Sequence, residues 1–364
     1  MKKLFTLFLS GLLLITLPCC GAMPGTKNTD SAQGSSSTLQ TDEATQGNSS
    51  DPDTEAQSGE AARPAYKTPQ EALEASPHLV GLTDQKNGRL LVRDLAKDWS
   101  DDSSVIWEYK DANTASAAGL KLRDSEIFGG EVVLFCGPRG AGILSYETKE
   151  TLFFTSRVGS NPHAVELLPD GTFIVGSTSD NKVTVFDAAG GNTEPIQTLS
   201  YENVHGALWD PKYQVLWMAG RTKLSAFSVS GTGENARISL IQGMIYVTGD
   251  WLHDLFPCYG NPQALFVTCA EGIFLFDKEK EKFLSTYPCS SLAAKITTAP
   301  AAGAFADHVM VAMPVISGKT VHREWCMNEI SVMVPMGKST VRKITRTAPD
   351  DAYYKVRVWC ADYQ

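Results

Sequence analysis

From Lys121 onward the chain repeats itself about every 40 residues, and the repeat limits the folds open to it. The clearest copy spans residues 161–201. It reads His163-Ala-Val-Glu-Leu-Leu, the turn Pro169-Asp170-Gly171, Thr172-Phe-Ile-Val-Gly, Lys182-Val-Thr-Val-Phe-Asp187 and Ile196-Gln-Thr-Leu. Short β-branched and aromatic runs between turn residues are strands, and four of them make one propeller blade. The pattern recurs over residues 121–155, 205–247 and 253–287, and in a longer unit from residue 295. The ends complement each other. Residues 79–109 supply three strands and lack an inner one, while Tyr354-Lys-Val-Arg-Val-Trp-Cys360 is a strand without a unit. Pairing the two removes exposed sheet edges. The expected fold is therefore all-β: a six-bladed β-propeller over residues 77–364, closed by its C-terminal strand. Seven blades follow if the long last unit is two, and a pair of β-sandwiches is the remaining rival.

The N-terminus carries an address. Met1-Lys2-Lys3 precedes an apolar run from Leu4 to Leu17, which is a secretory signal rather than a membrane span. Leu17-Pro18-Cys19-Cys20 resembles a bacterial lipobox, which implies cleavage after residue 19 and acylation of Cys20, with Cys19 the weaker candidate. Plain secretion is the alternative. Two or more acyl chains hold a protein stably on a membrane. Residues 20–76 are rich in Ser, Thr, Gly, Gln, Asp and Glu and read as a disordered tether, with one short helical turn at residues 69–75. The chain is thus expected outside the cytoplasm, attached to the cell membrane.

A net charge of −9 excludes an ordinary nucleic-acid binder. Six of the eight cysteines lie beyond the lipobox, mostly in apolar runs, and read as buried thiols. A Cys258–Cys289 bridge is conceivable.

Aligning the inner strands brings Lys121, His163, His205, His253, Lys295 and Lys355 to equivalent starting positions. In a propeller these face the mouth of the central channel. Loops opening on the same face bring Asp84, Gln85, Arg139 and Arg221, and an insertion near residues 315–326, with His322 and Glu324, is placed to roof the mouth. Two chemistries follow. Three neutral imidazoles suit a divalent metal such as zinc or manganese. A cationic mouth of Lys121, Arg139, Arg221, Lys295 and Lys355 suits a carboxylate or phosphate, as on an acidic glycan, with Trp209, Trp217 or Trp251 as stacking surfaces. Glu166, Asp210 and Asp254 are carboxylate candidates by position alone. The histidines also admit a structural reading, in which the domain is a protein-interaction scaffold.

Asn161-Pro-His-Ala-Val-Glu-Leu-Leu-Pro-Asp-Gly171, Val204-His-Gly-Ala-Leu-Trp-Asp210 and Leu252-His-Asp-Leu255 resemble the motifs of an uncharacterised bacterial propeller family of unknown function. The resemblance implies the fold over residues 78–364 and no activity. A more distant analogy links a histidine-bearing propeller channel with a metal to oligogalacturonate lyases, which would make the protein a carbohydrate-active enzyme. Fold alone does not carry that step.

Overall fold

The computed structural model describes residues 66–75, 78–248, 251–259, 261–269, 273–287, 295–296, 310–313, 318–335 and 341–363. The signal segment, Cys20 and most of the tether lie outside them. Apart from one six-residue helix and short single turns, the regular structure is all β, arranged as a β-propeller.

The described strands form six four-stranded sheets. The first joins Tyr353–Val358 to Leu79–Asp84, Arg89–Asp94 and Val105–Tyr109. The second runs Gly119–Ser125, Gly130–Gly137, Gly140–Ser145, Thr151–Thr155, and the third Pro162–Leu167, Thr172–Ser177, Lys182–Asp187, Gln197–Ser200. The fourth is Val204–Asp210, Val215–Gly220, Lys223–Ser230, Arg237–Val247, and the fifth Leu252–Pro257, Ala264–Cys269, Ile273–Asp277, Lys282–Tyr287. The last is Lys295–Ile296, Met310–Met313, Glu329–Pro335, Val341–Thr347, so the long final unit contributes one sheet among the described residues. The sheets are antiparallel meanders, and the first strand named in each is the inner one. Successive inner strands touch, and the cycle returns from Lys295–Ile296 through Tyr353–Val358 to Gly119–Ser125.

The seam in the first sheet pairs distant parts of the chain. Val80 lies opposite Val358, Leu82 opposite Val356 and Thr83 opposite Lys355. Beside it, buried Asp351 binds Arg89 Nη2 at 2.8 Å and Arg93 Nη2 at 2.8 Å, and Tyr353 donates its hydroxyl to the same carboxylate. The Ala352 amide donates to Asp84 at 3.1 Å. Ladder and ion pairs therefore hold the same join.

Hydrophobic cores lie between neighbouring sheets. Val132, Leu134 and Ile143 of the second sheet interlock with Val165, Phe173 and Val175 of the third. Trp217 packs with Leu255 and Leu265 across the next gap but one. The inner strands approach closely there: a side chain at Gly206 would meet Leu255 Cβ at 2.6 Å and its amide nitrogen at 2.8 Å.

Folded chain begins inside the segment read as tether. Thr68 caps the helix Pro69–Glu74 by accepting from the Glu71 amide at 3.2 Å, and a proline in its first turn suits a helix start. Ala72 and Leu73 are fully buried in a core shared with Trp99, Ile330 and Val332. The helical turn expected at residues 69–75 is present, and it is docked.

Candidate functional site

The three histidines share one local geometry. Each sits where its inner strand slips against the neighbouring strand. Pro162 pairs with Ser177 and Ala164 with Gly176, leaving His163 between them. The same slip leaves out His205 between Val204 and Gly206, and His253 between Leu252 and Asp254. Such a bulge re-aims the side chain of the extra residue. Two of the three are also preceded by an asparagine in the left-handed region, Asn161 at φ 57° and Asn203 at φ 52°. Asparagine tolerates that conformation better than most residues.

That turn aims a carbonyl at the ring. His163 Nδ1 donates to Asn161 O at 2.9 Å and His205 Nδ1 to Asn203 O at 3.0 Å. A carbonyl only accepts, so Nδ1 carries the proton, and in the neutral ring Nε2 keeps its lone pair. The imidazoles form a row: ring centres are 4.9 Å apart from His163 to His205 and 5.0 Å from His205 to His253. Tyr354 stands edge-on to His163 at 5.4 Å. Burial holds the His205 pKa well below the ordinary histidine value, and the neighbouring His163 and His253 push it the same way. The middle ring is therefore neutral at physiological pH.

The row borders a cavity of about 620 Å³. His163, His253, Asn161, Tyr354 and Gln85 line it, together with Arg323, Glu324 and Trp325 of the insertion. Trp325 is 45% exposed. Its indole NH donates to Gln85 Oε1 at 3.1 Å, and the Arg323 guanidinium lies 5.6 Å from its ring centre. His322, next to them, is exposed and is not among the lining residues.

Deeper along the channel the chemistry is ionic. Arg123 binds Glu166 through Nε at 2.8 Å and Nη2 at 2.9 Å, and Lys121 Nζ reaches the same carboxylate at 2.8 Å. Arg357 Nη2 contacts both Asp254 oxygens, at 2.7 and 2.9 Å, and Lys355 Nζ lies 3.4 Å from Asp254 Oδ1. Burial works to raise the Glu166 pKa, but Arg123 and Lys121 outweigh it and hold it at about 2. Burial brings Lys121 down to about 7 in spite of Glu166. Because Arg123 keeps its proton and grips the carboxylate twice, the surplus lysine is the group that titrates.

This corrects the expectation of an open cationic mouth. Lys121 and Lys355 are 4% and 1% exposed and spend their charge on Glu166 and Asp254. Asp84 likewise faces Arg89, at 2.9 Å. Arg139 is an exposed turn residue beside Pro138, which does line the cavity, and Arg221 is exposed and paired with Glu202. Lys295 starts its inner strand, but its side chain lies outside the described residues. Asp210 binds Lys278 at 2.6 Å and the Trp217 indole at 3.0 Å. Trp209 and Trp217 are core, and Trp251 is exposed and donates to Asn203 Oδ1 at 2.7 Å. The exposed aromatic side chain lining the cavity is Trp325, inside the polar insertion, where no repeat in the sequence marks it. Cys258 is a buried thiol outside any disulfide, and Cys289 lies outside the described residues. Among the described residues no three His, Cys, Asp or Glu side chains converge so as to hold a metal. The zinc or manganese expectation does not fit this donor set. No described helix is long and apolar enough to cross a membrane.

Residues 80–291, more than half of the chain, match the family described as "Family of unknown function (DUF6528)". The chain belongs to this family. The DUF6528 match contains His163, His205, His253 and Glu166, whereas Trp325 and the closing strand fall beyond it. No curated protein matches the sequence. Solved structures with a similar fold include the dihydro-heme d1 dehydrogenase NirN, at 12% identity and TM-score 0.44, covering 78% of this chain and 56% of that one. The chain thus spans little more than half of that protein's length. Kuenenia stuttgartiensis hydrazine synthase is similar at 11% identity and TM-score 0.44, covering 62% of this chain and 66% of that one. A protein of unknown function from Bacteroides caccae is similar at 10% identity and TM-score 0.46, covering 78% and 98%. These likenesses concern fold alone.

Proposed function

We propose that this DUF6528 protein is a cell-surface lipoprotein whose propeller, a ring of six blades, binds a small or oligomeric anionic, carbohydrate-like ligand at the channel mouth. The observation that carries this reading is the cavity of about 620 Å³ between the histidine row and Trp325. Its size is typical of small-molecule sites, which cluster a few polar groups around apolar walls. Exposed Trp325, fixed by Gln85, offers a face for a sugar ring. Arg323 offers a fork for a carboxylate. The blade count is supported by the six sheets and by the cycle of touching inner strands. The lipid anchor is supported by Leu17-Pro18-Cys19-Cys20 after the apolar run.

Calorimetric titration of the purified chain with uronic-acid oligosaccharides should give saturable heat, and neutral counterparts should bind more weakly. Trp325→Ala should weaken binding about tenfold, the size of one aromatic stacking contact, and leave the melting temperature unchanged because the ring is exposed. Absence of saturable heat, or unchanged affinity in Trp325→Ala and Arg323→Ala together, ends the reading. Cys20→Ser should move the protein from the membrane fraction to the soluble exported fraction; retention in the membrane would place the anchor elsewhere.

A further inference from the structure

The channel contains a second void that shares no lining residue with the mouth cavity. Lys121, Arg123, Phe256, Tyr259, Arg357 and Cys360 are among its walls, and it offers about 10 Å³ to a guest. That is about the room one water-sized sphere needs. Arg357 stands three residues beyond Tyr354 on the closing strand, about 10 Å further along the channel at the usual rise of a strand. We propose that this void is a binding site for a single small monovalent anion of the halide class, held by Arg357 between Arg123 and Lys121.

Two independent observations point there. The first is a set of donors without acceptors. Arg357 is 4% exposed, and its Nη2 takes both oxygens of Asp254. Among the described residues its Nε and Nη1 are buried with no hydrogen-bond partner. Arginine cannot shed its proton to relieve this, and buried unmatched donors are costly. The second is charge. Lys121, Arg123, Lys355 and Arg357 share the channel interior with Glu166 and Asp254 as their ion-pair partners, and each of the six side chains is at most 5% exposed. Four cations against two carboxylates leaves an excess of positive charge in a place where isolated ions are strongly disfavoured. Loss of protons from both lysines would balance the count, yet it would leave Arg357 Nε and Nη1 unmatched. A water would match the donors and leave the charge. A halide matches the donors and removes one of the two excess charges, while Lys121, which burial brings down to about 7, sheds the other; the void excludes larger oxyanions such as sulfate or phosphate.

The site is independent of the mouth reading, and its test uses the full chain and a defined probe. Crystals grown or soaked in sodium bromide should show an anomalous peak within hydrogen-bond distance of Arg357 Nε or Nη1. In solution, replacing sodium gluconate by sodium chloride at constant ionic strength should stabilise the protein. Above the dissociation constant, the folding equilibrium constant should rise about tenfold per tenfold increase in chloride. Arg357→Lys, which keeps a cation beside Asp254 but removes the two donors, should lose that chloride dependence. If Arg357→Lys does not fold, the bromide peak and the chloride dependence of the unaltered chain decide. A void that refines as water without anomalous signal, or a stability identical in gluconate and chloride, overturns the proposal.

Discussion

Glu166 shows how much a single side chain in the channel carries. Its two oxygens receive Arg123, Lys121 and the Trp209 amide, the last at 3.2 Å, with no exposed surface. Glu166→Gln preserves shape and strands two buried cations, so it should cost about 3 to 5 kcal/mol, read from denaturant midpoints. The pH dependence has a definite sign. Glu166 is held at about 2 in the folded protein, below its unfolded value of about 4.3. Its contribution is therefore complete above about pH 4.3 and is lost as pH falls toward 2. The stability gap between the unaltered chain and Glu166→Gln should shrink across that window, and a constant gap would refute the assignment. Residue spacing made the histidine row legible, because the same bulge recurs at the starts of the three inner strands that carry His163, His205 and His253. The fate of Lys121 and Lys355 was not legible. Their partners, Glu166 and Asp254, belong to other sheets, and nothing local in a Lys-Leu-Arg or Lys-Val-Arg run says that its amine is buried.

At the scale of the element, the bulge and the asparagine before it act together. Asn203 at φ 52° turns its carbonyl onto His205. Asn203→Ala and Asn203→Gly both delete the contact to the Trp251 indole, so the difference between them isolates the backbone. The alanine variant should be less stable by about 1 kcal/mol, the cost of a left-handed residue carrying a Cβ; equal stabilities would mean that the turn is not under conformational demand. Strands were readable because alternating and wholly apolar runs between Gly, Pro and Asp turns are a period-2 signal. The helix Pro69–Glu74 was readable as a turn but was assigned to the tether, because composition averaged over a long polar segment hides two buried residues, Ala72 and Leu73. The insertion carrying Trp325 was expected over the mouth, yet nothing repeated in the sequence marked Trp325 itself as a lining residue.

The whole molecule depends on its seam. Thr83 Oγ1 accepts from the Lys355 amide at 2.9 Å across 272 residues of sequence, and Asp351 ties the same region to Arg89 and Arg93. Removing residues 350–364 should expose the edge of Leu79–Asp84, unpair Asp254 from Arg357 and abolish the cooperative melt seen by circular dichroism; a truncated chain that stays soluble and melts sharply would show that closure is dispensable. Closure was legible because a unit short by one strand and a strand without a unit stand at opposite ends.

The docked helix and the doubly flanked strand after it also set how the molecule answers tension. A pull on the N-terminal side of the chain meets Pro69–Glu74 first, fastened mainly through Ala72 and Leu73. That short helix would peel away under small force. The load then falls on Leu79–Asp84, bonded on one flank to Arg89–Asp94 and on the other to Tyr353–Val358. Drawn along its own axis, that strand strains both ladders in shear, so the bonds resist together rather than opening one after another.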